Sequence, residues 1–172
     1  RAYVSNWVGG SEVMVIDTDK DKVVDSVAVA MEPESMVIDR NKILWVLCNG
    51  GWKREYYAEL VAVNTSTNDI ERRIIFPSKQ ASPSCLQIDG DGSTLYYLES
   101  GVQKIKIDVA SVPAVPYIQE SGHYFYKMGI NPVNGDILVT DAVDYQQKGH
   151  LLIYNKTGNL VSDELADIIP GM

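Results

Sequence analysis

The chain is poor in the residues that build disulfide frameworks and metal clusters. Its 172 residues include only two cysteines and two histidines. Two cysteines are too few for a disulfide scaffold or a cysteine-ligated cluster. Cys48 and Cys85 each lie in an apolar, strand-like run. We therefore expect both to be small buried side chains.

The chain also lacks an excess of positive charge and any long apolar run. It has 15 Lys and Arg residues against 23 Asp and Glu, a formal net charge of −8. Such a field repels nucleic-acid phosphates, so we expect no nucleic-acid partner. The apolar stretch from Val23 to Met31 is broken by Asp25 and Ser26. It is far shorter than the roughly 20 residues of a bilayer-spanning helix.

The sequence also lacks the 3.6-residue periodicity of a helix. It does contain an internal repeat. Segments that end in an apolar pair plus Asp or Asn recur 44 to 47 positions apart: Val13 to Asp17, Leu60 to Asn64, Lys104 to Asp108 and Leu151 to Asn155. A second column is Ser35 to Asp39, Cys85 to Asp89 and Lys127 to Asn131. A third is Tyr3 to Asn6, Trp45 to Cys48, Tyr96 to Glu99 and Leu138 to Asp141.

Each repeat unit therefore holds short runs rich in Val, Ile and Tyr, separated by turn residues. We label its predicted strands A (second column), B (third column), C (first column) and D (the segment that follows C). Four short strands in about 40–50 residues is the size of one propeller blade. The sequence predicts an all-β fold, a β-propeller of four-stranded blades, with parts of about four blades at 1–33, 34–83, 84–123 and 124–172. We expect these blades to belong to a larger ring, completed by a missing half or a second chain; a four-bladed ring is the alternative.

Strand parity divides the connections between two rims. One rim carries short Asx and Gly turns that only close hairpins. The other carries the longer D-to-A and B-to-C loops, on which aromatic side chains cannot be explained as core. We expect ligand binding on this second rim, by Trp7, Asn49, Trp52, Lys53, Tyr56, Tyr57, His123, Tyr145 and Gln146. The alternative is that Trp52 or Tyr56 simply covers the blade beneath it.

Motifs for catalysis or resident cofactors are absent from the sequence. Asp17 to Asp21 resembles the start of a calcium loop, but Lys22 replaces the required Gly. His123 and His150 fall in different predicted blade parts without a Cys or His neighbour at metal spacing, and we expect His150 to be structural. The sequence thus predicts no catalytic residues, no metal site, no cofactor and no enzymatic activity. The alternative is a metal-dependent lactonase or lyase, for which the strand-A starts supply only Glu34, Ser84 and His123.

The first repeat unit resembles the YVTN family of β-propeller repeats. The resemblance lies in Tyr3-Val4-Ser5-Asn6, Val13-Met14-Val15-Ile16-Asp17, Lys22-Val23-Val24 and Glu32-Pro33-Glu34-Ser35-Met36. More narrowly, the Gly50-Gly51-Trp52 loop and the tail Asp167-Ile168-Ile169-Pro170-Gly171 are similar to surface-layer-like propeller lipoproteins of Bacteroidetes.

Some members of that group are seven-bladed surface proteins that capture corrinoids such as vitamin B12 and pass them to an outer-membrane transporter. The resemblance implies a lipid-anchored, seven-bladed propeller on the extracellular face of the outer membrane or in the periplasm. It implies a corrinoid ligand and a transporter partner. The aromatic rim agrees in kind, because aromatic rings could stack on a corrinoid while Asn, Gln and Lys bond to its amide arms. A cell-surface scaffold that binds another protein is the alternative function.

Overall fold

The computed structural model describes residues 1–167, and every regular element among them is a β-strand. The predicted tail motif extends beyond Asp167 and so lies mostly outside the described residues. The fourteen strands are β1 (Ala2–Ser5), β2 (Glu12–Asp17), β3 (Lys22–Ala28), β4 (Pro33–Ile38), β5 (Ile43–Cys48), β6 (Glu59–Asn64), β7 (Ile70–Ile75), β8 (Ser84–Ile88), β9 (Thr94–Leu98), β10 (Val102–Lys106), β11 (Phe125–Ile130), β12 (Ile137–Asp141), β13 (His150–Tyr154) and β14 (Leu160–Leu165). The all-β prediction is confirmed. None of the described residues forms a helix with the length and apolar character that a bilayer crossing needs.

The strands form four antiparallel sheets, in the orders β1-β2-β3, β4-β5-β6-β7, β10-β9-β8 and β11-β12-β13-β14. The chain divides into two compact units. Unit 1 comprises residues 1–86 and 109–112, and unit 2 comprises residues 87–108 and those from 113 onward. We describe each unit by itself.

The core of unit 1 lies between its first two sheets. Every second residue of the central strands points into it, as the two-residue period of a strand requires. The buried residues of this core are Val13, Val15, Val27, Val29, Leu44, Val46, Cys48, Val61 and Val63. Cys48 and Cys85 are both buried, as expected, and neither is part of a disulfide. Burial raises the pKa of the Cys48 thiol to about 12.

The repeat is visible in the backbone as well as in the sequence. In three of the four repeat units, the pairing of predicted strand C with strand D shifts register at one equivalent place: between Val15 and Ile16, between Ala62 and Val63, and between Ile153 and Tyr154. The Asp or Asn that ends strand C then closes the turn. Oδ1 of Asp17 accepts the N–H of Asp19, and Oδ1 of Asn64 accepts that of Ser66. The Asp or Asn that recurs at this position therefore forms an Asx turn.

The sheet of β8, β9 and β10 departs from the prediction. The sequence predicts a strand D after the strand-C segment Lys104 to Asp108, in the blade part at 84–123. Residues 107–118 instead make a single bridge, between Val102 and Ile118. Pro113 and Pro116 lie in this segment. Because they are three positions apart, one of the two would face β10 in an extended strand and leave a hydrogen bond of the ladder unmade, which disfavours a regular outer strand there.

Candidate functional site

The loop of residues 49–58 connects β5 to β6 and forms the centre of the candidate site in unit 1. Its first residues are bound to the chain that precedes β4. The N–H of Asn49 donates to the carbonyl of Glu32 (3.0 Å), and that of Gly50 donates to the carbonyl of Met31 (3.2 Å). Oδ1 of Asn49 accepts the N–H of Gly51 at 3.0 Å. Asn49 therefore shapes the loop with its side chain.

Two glycines allow this close approach. Gly50 and Gly51 have φ angles of +83° and +88°, a region that L side chains rarely adopt. A Cβ on Gly50 would also lie only 2.7 Å from the carbonyl oxygen of Tyr56. The Gly-Gly pair is thus required by the backbone of the loop.

Arg54 anchors the far side of the loop. Its N–H donates to the carbonyl of Gly51 (3.1 Å), and its Nη1 donates to the carbonyl of Ala81 (3.1 Å). The aromatic side chains on either side of Arg54 are left facing solvent, and Trp52 is 88% exposed. A tethered loop that presents exposed aromatic rings is a typical recognition surface.

Two clefts adjoin beside this loop, and the larger of them, the main cleft, has a volume of about 580 Å³. Its lining is mixed. Nη1 of Arg73 binds Oε2 of Glu59 at 2.8 Å on one wall, and Nζ of Lys79 lies 5.5 Å from the centre of the Tyr57 ring. The lining residues are Ser11, Val29, Ala30, Met31, Glu55, Tyr56, Tyr57, Glu59, Arg73, Ile75 and Lys79.

A small cleft of about 270 Å³ adjoins the main cleft. The two clefts share Met31, Glu55 and Tyr56. The other lining residues of the small cleft are Gly9, Glu32, Gly50, Gly51, Trp52 and Lys53. The main cleft falls within the range of about 300–1,000 Å³ that is usual for small-molecule sites, and the small cleft lies just below it.

The two clefts bring together four residues that the sequence predicts as ligand-binding: Trp52, Lys53, Tyr56 and Tyr57. Asn49 and Trp7 line neither cleft; Trp7 is exposed on the loop between β1 and β2. Met31, Glu55 and Lys79 were not predicted. Met31 and Lys79 lie on other connections, and only the fold brings them to the loop.

The remaining predicted residues, His123, Tyr145 and Gln146, belong to unit 2. His123 is part of a cluster that the sequence did not predict. Its ring centre lies 5.1 Å from that of His150. Nδ1 of His123 is 2.9 Å from Oδ2 of Asp141, and Nδ1 of His150 is 2.6 Å from Oδ1 of Asp163. The sequence places the two histidines in different predicted blade parts, whereas in the structure their rings are in contact.

Asp141 is the buried member of this cluster, with 5% of its surface exposed. Burial raises its pKa, but hydrogen bonds from the backbone of Val143, from His123 and from the backbone of Tyr124 outweigh that effect and lower it below the usual value. The carboxylate is therefore ionised and accepts, so Nδ1 of His123 carries the hydrogen of their bond.

Tyr145 and Gln146 lie on the loop between β12 and β13. The Tyr145 ring meets that of Tyr126 edge-on, with centres 5.5 Å apart. Val143 and Tyr145 have φ angles of +52° and +62°. Such angles are rare for a β-branched or bulky residue and indicate a strained loop.

The alternative catalytic residues gain no support from their contacts. Oε2 of Glu34 accepts the backbone N–H of Cys85 at 2.9 Å, so this carboxylate has a structural partner. Within residues 1–167, no group of three or more His, Cys, Asp or Glu side chains is placed so that it could hold a metal ion.

Comparison with known proteins identifies the architecture and nothing finer. No protein-family model matches the chain, and no curated protein sequence matches it significantly. Among solved structures, hydrazine synthase of Kuenenia stuttgartiensis is 19% identical with a TM-score of 0.76, the match covering 96% of this chain and 46% of that one. A quinonprotein alcohol dehydrogenase-like protein of Bacteroides thetaiotaomicron is 12% identical with a TM-score of 0.71, covering 96% and 43%. The Dos1 propeller is 13% identical with a TM-score of 0.62, covering 91% and 43%.

These likenesses show a β-propeller fold, which confirms the predicted fold class. The chain spans less than half the length of each of these three structures. The prediction of no enzymatic activity is wrong as an inference from this fold. Proteins of similar structure include hydrazine synthase and, at 10% identity, dihydro-heme d1 dehydrogenase. A propeller of this type is therefore no argument against catalysis.

Proposed function

We propose that the chain is part of a ligand-binding β-propeller, and that the two adjoining clefts beside loop 49–58 form the binding surface. The observation that carries this proposal is the tethered loop itself. Three aromatic side chains, Trp52, Tyr56 and Tyr57, face solvent from a loop whose backbone is fixed by Asn49, Gly50 and Arg54. A loop whose backbone is already fixed loses little backbone freedom on binding, which favours affinity.

The mixed lining supports a large, partly apolar ligand with polar arms. Trp52 and Tyr56 offer faces for stacking, while Glu55 at the junction of the clefts and Lys53 in the small cleft offer charged hydrogen-bonding groups. A corrinoid such as vitamin B12 has this character, and it is the ligand we propose. Delivery to an outer-membrane transporter, from a lipoprotein on the extracellular face of that membrane or in the periplasm, is the wider role we propose for it. The resemblance to surface-layer-like propellers supports both.

Isothermal titration of the purified protein with cyanocobalamin tests the ligand. We expect one ligand per chain, and we expect Trp52→Ala and Tyr56→Ala each to weaken binding at least tenfold, which is about 1.4 kcal/mol. Tyr124→Ala is the matched control, because Tyr124 is an exposed aromatic residue that lines neither cleft.

The titration separates the two parts of the proposal. No heat at micromolar protein would eliminate the corrinoid. Binding that survives both cleft substitutions would instead place the ligand elsewhere on the protein. Mass spectrometry of the recovered ligand shows whether it has been chemically changed.

A second candidate function is a scaffold that binds another protein. Two apolar side chains favour it, because Trp52 and Val8 are among the most exposed residues of unit 1. Exposed aromatic residues are frequent anchors of protein interfaces. Capture of the transporter by the protein in the absence of any small ligand, lost in Trp52→Ala, would favour this function over the first.

A further inference from the structure

The sheet of β8, β9 and β10 ends on a strand that has a neighbour on both sides in the other sheets. β2, β6 and β13 occupy the same place in the repeat as β10, and each pairs with an outer strand, β3, β7 and β14. β10 is outermost in its own sheet. It nevertheless has the buried character of an inner strand, since Val102, Gln103 and Ile105 are each at most 6% exposed. One strand position beside β10 is therefore left unfilled by residues 1–167.

The pairing of β10 with β9 decides which of its backbone groups point outward. Val102 and Leu98 form a non-hydrogen-bonded pair, because the N–H of Val102 donates to the carbonyl of Ile118 at 2.9 Å and not to β9. Such pairs alternate with hydrogen-bonded ones along an antiparallel ladder. The N–H and C=O groups of Lys104 and Lys106 therefore also point away from β9.

Only the first of these three outward positions has a backbone partner among the described residues. The carbonyl of Val102 accepts the N–H of Ile118 at 3.1 Å, which completes the single bridge. If that pairing continued, Pro116 would lie opposite Lys104, and a proline has no N–H to donate to the Lys104 carbonyl. Pro116 lies beside Gly101 instead, on the side of Val102 away from Lys104, since a Cβ on Gly101 would be 3.0 Å from the Pro116 Cβ. The edge of β10 beyond Val102 is therefore open.

Two lysine side chains line this open edge. Lys104 and Lys106 are two positions apart and so share one face of the sheet. Nζ of Lys104 lies 4.3 Å from the centre of the Tyr117 ring and 5.6 Å from that of Tyr96. Nζ of Lys106 donates to Oγ1 of Thr94 at 3.0 Å. These direct contacts are with neutral groups, so both positive charges are available to a partner.

We propose that the open edge of β10 binds an extended acidic segment of another protein, which adds a strand to this sheet. The backbone of the segment would bond to the outward N–H and C=O groups of Lys104 and Lys106, as in other complexes formed by strand addition. Side chains directly opposite each other on paired strands are about 4.5–5.5 Å apart at Cβ. Asp or Glu at alternate positions of the segment would therefore meet the two lysines.

Charge decides between the possible occupants of the edge. Lysines on an edge strand discourage pairing with strands that cannot neutralise them. A second copy of the chain is disfavoured, because two β10 strands paired at these lysines would place like charges opposite each other. The edge belongs to unit 2, whereas the clefts belong to unit 1, so this interaction goes beyond the proposed ligand binding.

Nuclear magnetic resonance with two synthetic peptides tests the edge. One peptide is Thr-Glu-Val-Glu-Val-Glu-Thr, the other has Lys in place of each Glu, and both have blocked ends. We expect the acidic peptide to bind at concentrations below about 1 mM and the Lys peptide not to bind. The acidic peptide should slow hydrogen exchange of the Lys104 and Lys106 amides by about tenfold or more, because they become hydrogen-bonded. The amides of Gln103 and Ile105 are the internal control, since they already bond to β9.

Two variants separate the backbone from the charge. Lys104→Pro removes one outward N–H, which an edge strand tolerates where that group faces solvent. We expect the circular dichroism of the parent and binding weakened by about tenfold or more. Lys104→Glu/Lys106→Glu keeps both N–H groups, so it should bind the Lys peptide and reject the acidic one even if the proline variant does not fold. Lys127→Glu is the matched control, because Lys127 is an exposed lysine of β11.

Four results would overturn the proposal. Failure of the acidic peptide to bind up to about 1 mM would remove the partner. Slow exchange of the Lys104 and Lys106 amides in the dilute, unbound protein would show that the edge is already covered. Equal binding of the two peptides would show that charge does not select the segment. Protection that rises with protein concentration alone would identify a second copy as the occupant. None of these results bears on cyanocobalamin binding, so this proposal and the proposed function fail separately.

Discussion

At the scale of single residues, the clearest electrostatic feature is Asp144, on the strained loop between β12 and β13. Its pKa is lowered to about 2, first by a hydrogen bond from the Gln147 side chain and then by the backbone N–H groups of Gln147 and Gln146. Oδ2 accepts Nε2–H of Gln147 at 2.9 Å. A carboxylate that accepts several such bonds favours its charged form.

The lowered pKa fixes the direction of a pH effect. The stabilisation that the ionised Asp144 carboxylate gives the loop is fully present above the ordinary pKa of about 3.9 and is lost as the pH falls through about 2. We expect Gln147→Ala to raise the pKa of Asp144, measured by NMR titration of the carboxyl carbon. Gln146→Ala is the control, because only the backbone N–H of Gln146 binds Asp144. An ordinary pKa in the unaltered protein would contradict this arrangement.

At the scale of elements, loop 49–58 depends on its glycines. We expect Gly50→Ala to lower the melting temperature, because the new Cβ meets the Tyr56 carbonyl and the backbone must keep a φ of +83°. The backbone penalty alone is about 1–2 kcal/mol, and about 1 kcal/mol shifts the melting temperature of a chain of this length by about 2–4 °C.

Gly122→Ala separates the two causes in the same calorimetric measurement. Gly122 has a φ of +96°, and nothing lies within 4 Å of its Cβ position. Gly50→Ala should therefore be the more destabilising substitution. Equal melting temperatures for the two variants would show that the close approach of a Cβ at position 50 to the Tyr56 carbonyl adds no penalty to that of the backbone angle.

The elements were predictable where their signal is local. Strand alternation and Asx turns act over a few residues, so β2 and β6 begin one residue before the segments predicted and end with them. The prediction of an outer strand after β10 was wrong, because it followed the repeat and gave too little weight to Pro113 and Pro116. The contact of His123 with His150 was missed for another reason: it depends on which strands are neighbours across a sheet, which residue spacing does not show.

At the scale of the whole molecule, the predicted repeat leads to the correct fold, and the function does not follow from it. The structures that share the fold are under 20% identical to this chain, and their names cover different chemistries. The residues that keep a propeller blade intact lie in strands and tight turns, whereas a ligand meets the longer loops. Of the predicted site residues, Trp52, Lys53, Tyr56 and Tyr57 line the clefts, whereas Asn49 on the same loop shapes its backbone and lines neither cleft.

The net charge of −8 gives a prediction at this scale. We expect no binding of duplex DNA even at low salt, where phosphate contacts are strongest, because the protein's field repels the backbone. Fluorescence anisotropy of a labelled duplex at about 20 mM salt measures this, with an equally sized basic protein as the positive control. A salt-dependent rise in anisotropy would reveal a local basic surface that the net charge conceals.

The buried thiol of Cys48 provides a built-in probe of how often the strand that carries it opens. It occupies the last position of β5, directly before the loop that carries Trp52 and Tyr56. Since it is fully buried and its pKa is about 12, an alkylating reagent can reach it only in molecules whose strand has momentarily opened. The rate of alkylation at Cys48, resolved from that at Cys85 by peptide mass spectrometry, therefore measures how often β5 opens, and a molecule bound on the loop would lower that rate.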